Sequence, residues 1–220
     1  MANDFFLDRN LTDYLASMRR PLPEPLASFE KDVRDRGLPV CSPGALDFLR
    51  MICALRRPRR ILEIGTCVGF SACVMASECD ACVDTVERNP VMIEEATCNI
   101  AAYFPGRITL YSGDAAAILP DLSGPYDLIF LDAAKGQYPT YYPHCKRLLA
   151  EGGVLIVDDV LFRGMVSDGK PDVHRNQTIV NRLRQFLTDL TSDPDFISTI
   201  LPVSDGLAVS VKRTKGAAHE

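Results

Sequence analysis

The chain has 220 residues, a formal net charge of −5 and a hydrophobic content of 47%. This length predicts one globular domain, and the acidic balance argues against broad, nonspecific binding to nucleic acid. No apolar run approaches the ~18 residues that a membrane-spanning helix needs, and the first twenty residues lack a secretory signal, so we expect a cytoplasmic protein without a membrane partner.

Eight cysteines are spread along the chain, most of them singly and within apolar segments. Without an export signal, reduced buried thiols are a plainer interpretation of this pattern than disulfides. One C-x-x-C motif, Cys79 and Cys82, lacks the second ligand pair that a structural zinc site would need. The six cysteines that we expect to be buried are Cys41, Cys53, Cys67, Cys73, Cys98 and Cys145.

The first sixty residues predict helices that proline and glycine separate. The third helix has Ser42 as its N-cap and Pro58 beyond its end, and its apolar residues recur at helical spacing. We therefore predict a helical cap over residues 1–58 and an α/β core over residues 59–220, both within one domain. The predicted cap helices span residues 11–18, 25–36 and 43–55.

From residue 60 onward, short apolar strands alternate with helices, which predicts a doubly wound, mostly parallel sheet of seven strands covered on both faces. Residues 204–206 predict the turn of an antiparallel hairpin that closes the chain. Ligands of such sheets bind at the carboxyl ends of the strands. The predicted strands are 60–64, 83–87, 108–111, 127–131, 154–157, 197–202 and 207–212, and the predicted helices are 70–76, 90–103, 115–119, 138–149 and 176–190.

The loop after the first strand contains two glycines, Gly65 and Gly69. Glycine lets the backbone turn tightly and approach a ligand at a helix N-terminus. A dinucleotide site would prefer the three glycines of G-x-G-x-x-G, so a pyrophosphate cradle is the weaker interpretation. Mere close packing of helix on strand would also explain the two glycines.

Acidic residues at three successive strand ends favour a bound cofactor over close packing. Glu63, ahead of the glycine loop, suits a cationic ligand that has an amino acid end and a ribose. Glu87 closes the second strand, where an acidic residue binds ribose hydroxyls. After the third strand, Asp114 and Ala115 are placed to bind an adenine through a side chain and a backbone group.

A second acidic cluster follows the fourth and fifth strands, with Asp132 after one and Asp158 and Asp159 after the other. Three carboxylates at one rim repel each other unless a cation neutralises them or protons remain bound. Their oxygen ligands suit Mg²⁺, or else Mn²⁺ or Ca²⁺. The alternative is an ordinary loop carboxylate and a helix cap. Lys135 is expected to point into the same cleft, with a solvated lysine as its alternative.

Five motifs resemble the metal-dependent class I O-methyltransferases of the catechol and caffeoyl-CoA type, and the resemblance covers nearly the whole chain, including the N-terminal helices and the D-G-L-A-V-S end. The resemblance implies the class I methyltransferase fold, S-adenosylmethionine as the cofactor, and a divalent metal. The motifs are E-I-G-T-C-V-G-F-S, V-E-R-N, G-D-A, D-A-A-K and V-D-D-V.

Carried over residue by residue, the resemblance implies that Asp132, Asp158 and Asp159 bind the metal. The family usually has Asn at the third position, so Asp159 adds a negative charge. The resemblance also implies that Lys135 and Asp132 are catalytic. The cofactor-binding residues that it implies are Val40, Glu63, Gly65, Gly69, Ser71, Glu87, Asp114, Ala115 and Asp132.

Four longer segments are similar to the bacterial tRNA 5-hydroxyuridine methyltransferases, which complete 5-methoxyuridine at the wobble position. These segments are D-A-A-K-G-Q-Y, V-L-F-R-G-M-V, D-P-D-F and P-V-S-D-G-L-A. The similarity implies the tRNA anticodon loop as partner, with a base splayed into the pocket; relatives of this type imply a homodimer. The candidate RNA contacts are Arg19, Arg20, Arg56, Arg57, Arg59, Arg60, Arg163, Lys170, Arg175, Arg182 and Arg184.

A small catechol-like phenol is the alternative acceptor, because catechol and 5-hydroxyuridine both present two neighbouring oxygens. A bound metal would lower the pKa of the acceptor hydroxyl, and Lys135 would accept or relay the proton if the metal depressed its own pKa. A nicotinamide-dependent oxidoreductase is the rival enzyme class, and both the two-glycine loop and the carboxylates argue against it. Lys135 and the aspartates also disfavour a noncatalytic cofactor-binding protein.

Overall fold

Helices lie on both faces of one seven-stranded sheet in the computed structural model, which describes residues 9–168 and 174–214. The strands are β1 (Arg60–Ile64), β2 (Cys82–Glu87), β3 (Ile108–Ser112), β4 (Tyr126–Leu131), β5 (Leu149–Val157), β6 (Phe196–Leu201) and β7 (Leu207–Lys212). The helices are α1 (Arg9–Ser17), α2 (Leu26–Asp35), α3 (Pro43–Arg56), α4 (Phe70–Glu78), α5 (Pro90–Tyr103), α6 (Ala115–Ile118), α7 (Tyr138–Leu148), α8 (Met165–Asp168) and α9 (His174–Ser192). A 3₁₀ turn, Lys135–Gln137, precedes α7.

The strand order is β3-β2-β1-β4-β5-β7-β6, and β1 to β5 are parallel to their neighbours. β7 runs antiparallel to both β5 and β6. The predicted fold, a mostly parallel seven-stranded sheet with an antiparallel C-terminal hairpin, is confirmed. Strand order reverses between β1 and β4, so ligands are expected outside the carboxyl ends of these two strands.

Alternate residues of the central strands enter two separate cores, one on each face of the sheet. Ile61 of β1 packs in the core that α2, α3 and α4 cover, while Leu62 packs in the core beneath α7 and α9. In β4, Phe130 packs in the first of these cores and Ile129 in the second. Because both faces are buried, the strands read as continuous apolar segments.

The N-terminal helices were predicted with small errors in their bounds, and α3 is capped as expected, since the Ser42 side chain accepts a hydrogen bond from the Ala45 N–H. β5 was predicted too short. It begins at Leu149 rather than at residue 154, and its register against β4 shifts between Tyr126 and Leu128. The two glycines of residues 151–153 suggested a loop, although the strand continues through them as an irregularity.

All eight cysteines are free thiols. Cys41, Cys53, Cys73 and Cys145 are buried as predicted, but the prediction is wrong for Cys98, which is exposed on α5. Apolar neighbours in the sequence did not reveal that this residue lies on the outer face of its helix. Within residues 9–168 and 174–214, no helix is long and apolar enough to cross a membrane.

Candidate active site

A cavity of about 1040 Å³ lies at the carboxyl ends of the parallel strands. Its wall includes parts of α1 and α3, the loops after β1 to β5, and the turn between β6 and β7. Four predicted site residues, Glu63, Gly69, Ser71 and Asp114, do not form part of this wall. Those that do are Val40, Gly65, Glu87, Ala115, Asp132, Lys135, Asp158 and Asp159.

Gly65 lies where the loop after β1 meets the loop after β4, which carries Asp132. Its φ is +106°, and a Cβ at this position would lie 1.9 Å from the backbone oxygen of Asp132. The Asp132 N–H in turn donates to the Ile64 carbonyl at 2.9 Å. The loops after β1 and β4 are therefore in backbone contact, and only glycine permits this approach.

Glu63 lies beneath the glycine loop, completely buried, rather than in the cavity wall. Its carboxyl group accepts hydrogen bonds from the Ser71 and Thr85 hydroxyls, each at 2.5 Å. Burial raises its pKa to about 8, although the two hydroxyl hydrogen bonds act in the opposite direction. The three side chains brace β1, β2 and α4, so Glu63 and Ser71 support the loop from below in the described arrangement.

Glu87 is the acidic residue that the structure places in the wall at the end of β2. Oε2 accepts the Cys67 N–H at 2.8 Å, and Oε1 accepts the N–H groups of Arg88 and Asn89 at 2.9 Å each. Three backbone donors hold this carboxylate in one orientation. Its remaining lone pairs can accept hydrogen bonds from a diol, as the sequence predicted for a ribose.

The loop after β3 contributes backbone rather than the predicted carboxylate to the wall. Gly113 and Ala115 line the cavity. Asp114 caps α6 by accepting the Ala116 N–H at 2.8 Å, and its half-exposed side chain lies 3.7 Å from Arg88. The tyrosine ring of Tyr141 lines the cavity beside this loop and was not predicted.

Asp132 and Asp158 follow the adjacent strands β4 and β5, so they meet at one rim as predicted. Burial, together with repulsion from Asp159, raises the pKa of Asp132 to about 7. Burial and the negative charges of Asp132 and Asp159 raise the pKa of Asp158 well above its usual value. The pKa of each carboxyl is thus raised chiefly by loss of water and next by like charge.

Lys135 pairs with Asp159, and its Nζ lies 2.7 Å from Oδ2 of that residue. Burial alone would lower the pKa of Lys135, but the ion pair and hydrogen bond with Asp159 raise it above its usual value. The sequence hypothesis assumed that the pKa of Lys135 is depressed, whereas in this arrangement the pKa is raised. The additional charge of Asp159, where the resembling family usually has Asn, is the reason.

The donors at this rim fit a hard cation only in part. Asp132 is half-buried and Asp158 is buried, and Lys135 interacts electrostatically with both carboxyls. Such oxygen donors suit Mg²⁺. Asp159 is engaged with Lys135. Among the described residues, no group of three His, Cys, Asp or Glu side chains is arranged to hold a metal ion, so the three-aspartate ligand set stays a prediction.

Two side-chain contacts at the cavity were missed because they join distant parts of the sequence. Arg19, after α1, donates to Asp47 of α3 at 2.6 and 3.0 Å and to Glu30 at 3.3 Å. Ser42 and Ser204 are hydrogen-bonded to each other across the cavity wall. Sequence spacing carries no signal for such pairs.

Solved structures share this architecture over nearly the full chain. The O-methyltransferase TomG of Streptomyces achromogenes, solved with S-adenosylmethionine, is 28% identical with a TM-score of 0.79 over 93% of this chain and 96% of its own. The methyltransferase PaMTH1 of Podospora anserina, solved with S-adenosylhomocysteine, is 27% identical with a TM-score of 0.83 over 94% and 97%. The fold is that of the class I methyltransferases.

The family is shown by the sequence as well. The model of the O-methyltransferase family matches residues 37–213, so this chain belongs to that family. The catechol O-methyltransferase of Niastella koreensis is 28% identical over 96% of this chain and 99% of its own length. The chain is an S-adenosylmethionine-dependent O-methyltransferase, and the enzyme class predicted from its motifs is confirmed.

Proposed function

We propose that this enzyme methylates one of two neighbouring oxygens of its acceptor with the aid of a divalent metal, and that the acceptor is 5-hydroxyuridine at the tRNA wobble position. The observation that carries the proposal is one cavity with two unlike ends. Gly65 and Glu87 line one end, and Asp132, Asp158 and Lys135 line the other. A cofactor and an acceptor would therefore bind side by side, which supplies much of the rate of a group transfer.

At the cofactor end, the backbone-held Glu87 carboxylate would accept hydrogen bonds from the ribose hydroxyls. Gly65 lets the loop after β1 contact the loop after β4 at this end of the cavity, and Val40 also lines the cavity. Tyr141 and the backbone of Gly113 and Ala115 provide a partly apolar surface of the kind that suits an adenine. In this proposal Glu63, Ser71 and Asp114 do not contact the cofactor directly. They support the loops that do.

At the acceptor end, Asp132 and Asp158 would hold the metal. When bound there, the metal would lower the pKa of the acceptor hydroxyl and orient its two oxygens. Lys135, held by Asp159, provides a positive charge next to the developing oxyanion. In this arrangement Lys135 acts by electrostatics, and it would take up a proton only after release from Asp159.

The cavity and its rim support the RNA acceptor. A volume of about 1040 Å³ accommodates a cofactor together with a base, since ligand pockets commonly occupy about 300–1,000 Å³. Arg163 lines the cavity, and Arg182 donates to the Gly136 carbonyl next to Lys135 at 2.8 Å. Arg184 holds the α8 segment through the Val166 carbonyl at 2.8 Å.

Other predicted RNA contacts lie elsewhere. Four arginines precede or begin β1 and thus lie at the opposite end of the sheet from the cavity, so we leave them out of the proposed interface. They are Arg56, Arg57, Arg59 and Arg60. Lys170 lies outside the described residues, and Arg175 is described only as part of the α9 backbone. Arg19 and Arg20 follow α1. Arg20 remains in the proposed interface, whereas Arg19 donates its hydrogen bonds to Asp47 and Glu30.

A small catechol-like phenol is the second candidate acceptor. The observation that favours it is the similarity to the catechol O-methyltransferase of Niastella koreensis over nearly the full length of both chains. The same metal-binding carboxylates would serve both acceptors. Arg182 and Arg184 would then serve only to hold the backbone carbonyls to which they donate.

Methyl transfer from labelled S-adenosylmethionine tests the proposal. The acceptors are hydroxyuridine-containing tRNA from cells that lack this enzyme, and a simple catechol, each with Mg²⁺ and with EDTA. We expect EDTA-sensitive labelling of the tRNA with little labelling of catechol, and anticodon stem-loop binding that weakens steeply with salt. Labelling of catechol alone would refute the tRNA acceptor, and labelling that persists in EDTA would refute the metal.

Matched variants locate the metal. Asp158→Asn should abolish labelling, because one of the two buried carboxylates is lost. Asp193→Asn serves as the control, because Asp193 accepts hydrogen bonds from Tyr142 and Lys146 away from the cavity wall. Equal losses in the two variants would mean that Asp158 matters only for folding.

The homodimer also stays a proposal. The proposal is supported by exposed apolar side chains on or directly after α1 and on α3. Light scattering measures the oligomeric state directly. A monomer at micromolar concentration would refute it. The exposed side chains are Leu11, Tyr14, Leu15, Met18, Met51 and Leu55.

A further inference from the structure

The turn between β6 and β7 holds the loop that carries Asp158 and Asp159. Three backbone N–H groups of the loop donate to this turn. The Val160 N–H donates to the Gly206 carbonyl at 3.0 Å, and the Leu161 N–H donates to the Asp205 carbonyl at 2.9 Å. The third, the Arg163 N–H, donates to the Asp205 carboxylate at 2.5 Å.

The loop needs an external constraint because its backbone is strained. Asp159, Phe162 and Arg163 have φ values of 56°, 45° and 57°, a region that is unfavourable for residues other than glycine. Such conformations persist only where the surroundings impose them. The strained residues are also the ones whose side chains line the acceptor end of the cavity.

Asp205 is suited to impose this conformation. Its side chain is nearly buried, with 9% of the residue exposed, and it lies on the cavity wall next to the loop. A carboxylate makes a charge-assisted hydrogen bond to a backbone N–H, which is stronger than one from a neutral acceptor. Asp205 accepts its bond from Arg163, the strained residue farthest along the loop.

We propose that Asp205 is a positioning residue for the acceptor. Through the Arg163 N–H it fixes the backbone of residues 158–163, and so it sets where Asp158 and Phe162 face the cavity. This inference rests on the proposed function, because it assigns the acceptor to this end of the cavity. Asp205 itself is not required to touch the acceptor.

Gly206 provides an independent means of disturbing the same contact. Its φ is +89°, and a Cβ there would lie 2.3 Å from the Leu161 Cγ. Gly206→Ala would therefore push the turn away from the loop although the Asp205 side chain is chemically unchanged. Gly206→Ala and a variant that removes the Asp205 carboxylate should have the same effect if the contact between the turn and the loop positions the acceptor.

The test compares Asp205→Ala, Asp205→Asn and Gly206→Ala with wild type. Asn keeps an acceptor oxygen for the Arg163 N–H, so it should largely rescue the Ala variant. We expect kcat/KM for the acceptor to fall by roughly tenfold to a hundredfold in Asp205→Ala and Gly206→Ala. The Kd for S-adenosylmethionine should stay within about twofold, since the Glu87 carboxylate is held by the N–H groups of residues 67, 88 and 89 and not by this loop.

Hydrogen exchange measures whether the turn still holds the loop, and it requires no acceptor substrate. In Asp205→Ala the amides of Val160, Leu161 and Arg163 should exchange faster than in wild type, and in Asp205→Asn they should not. Asp193→Ala is the control for a general loss of stability. The proposal would be overturned if Asp205→Ala, like that control, lost acceptor turnover, cofactor affinity and Tm in proportion. Unchanged exchange of the three amides in Asp205→Ala would also overturn it.

The failure of this inference is distinguishable from the failure of the proposed function. If wild type methylates neither tRNA nor catechol, the proposed acceptors are refuted, and the exchange result still judges whether Asp205 holds the loop. If wild type methylates an acceptor and Asp205→Ala does so equally well, the positioning role is refuted while the proposed function stands.

Discussion

Gly65 is the residue at which the loop after β1 contacts the loop after β4, which carries Asp132. An alanine there would require a φ of +106° and would place its Cβ 1.9 Å from the Asp132 backbone oxygen. A backbone atom cannot move aside as a side-chain tip can, so the two loops would separate. We expect Gly65→Ala to raise the Kd for S-adenosylmethionine by roughly tenfold or more, as measured by calorimetry.

Gly69→Ala is the matched control for this prediction. Gly69 also has a positive φ, of +85°, but a Cβ there would meet the Ile100 side chain at an ordinary 3.4 Å. Its cost should be the backbone conformation alone, about 1 kcal/mol of stability. An equal loss of cofactor affinity in both variants would show that backbone conformation, and not the contact with Asp132, sets the affinity.

At this scale the sequence predicted residue types better than residue roles. Glu63 and Ser71 were predicted to bind the cofactor directly, yet their side chains bond to each other beneath the loop. Both positions follow from the motif, but the direction of a side chain at a strand end depends on which face is buried. That information lies in the packing and not in the local sequence.

At the scale of the elements, α1 is held over the cavity by Arg19. The guanidinium forms two hydrogen bonds with Asp47 of α3 and one with Glu30 of α2. Thr12, Leu15 and Ala16 of α1 line the cavity beside it. Arg19 therefore links the three N-terminal helices at the wall of the cavity.

We expect Arg19→Lys to raise the KM for the acceptor several-fold, on the order of 1 kcal/mol, because a lysine cannot form the paired bonds to Asp47. The cofactor Kd should be unchanged, and steady-state kinetics with both substrates measures the difference. Lys31→Ala is the control, since Lys31 pairs with Asp35 on an exposed face of α2. A parallel rise in KM in that control would contradict the role of α1.

The sequence predicted most elements because apolar periodicity and helix caps are local signals. β1, α5 and β7 have the predicted bounds. The 3₁₀ turn and α8 were missed because three or four residues are too few for a periodic pattern. The irregular start of β5 was missed because glycines usually end a strand, and here its pairing with β4 and β7 carries the strand on.

For the whole molecule, buried carboxyl groups make stability depend on pH. Glu63 has a pKa of about 8 in the folded protein, above its usual 4.5. Between these values the folded state holds a proton that the unfolded chain releases, so the free energy of unfolding decreases as pH rises through this window. The raised pKa values of Asp132 and Asp158 act in the same direction.

Glu63→Gln isolates one contribution to this dependence. The neutral amide cannot ionise, so we expect the stability of the variant relative to wild type to improve as pH rises from about 5 to 8. Urea unfolding at several pH values, without cofactor, measures the difference. A difference between Glu63→Gln and wild type that stays constant across this pH range would contradict the burial argument.

The contact between the β6–β7 turn and the loop after β5 also bears on the order in which the enzyme becomes active during synthesis. Asp132 and Asp158 leave the ribosome well before Asp205, and β7 must insert between β5 and β6 after most of the chain is made. Long-range pairings of this kind form late and slowly. A nascent chain can thus form the loops after β1 to β4 early, while the loop that carries Asp158 and Asp159 gains its contact with the turn only when nearly the last residues are translated.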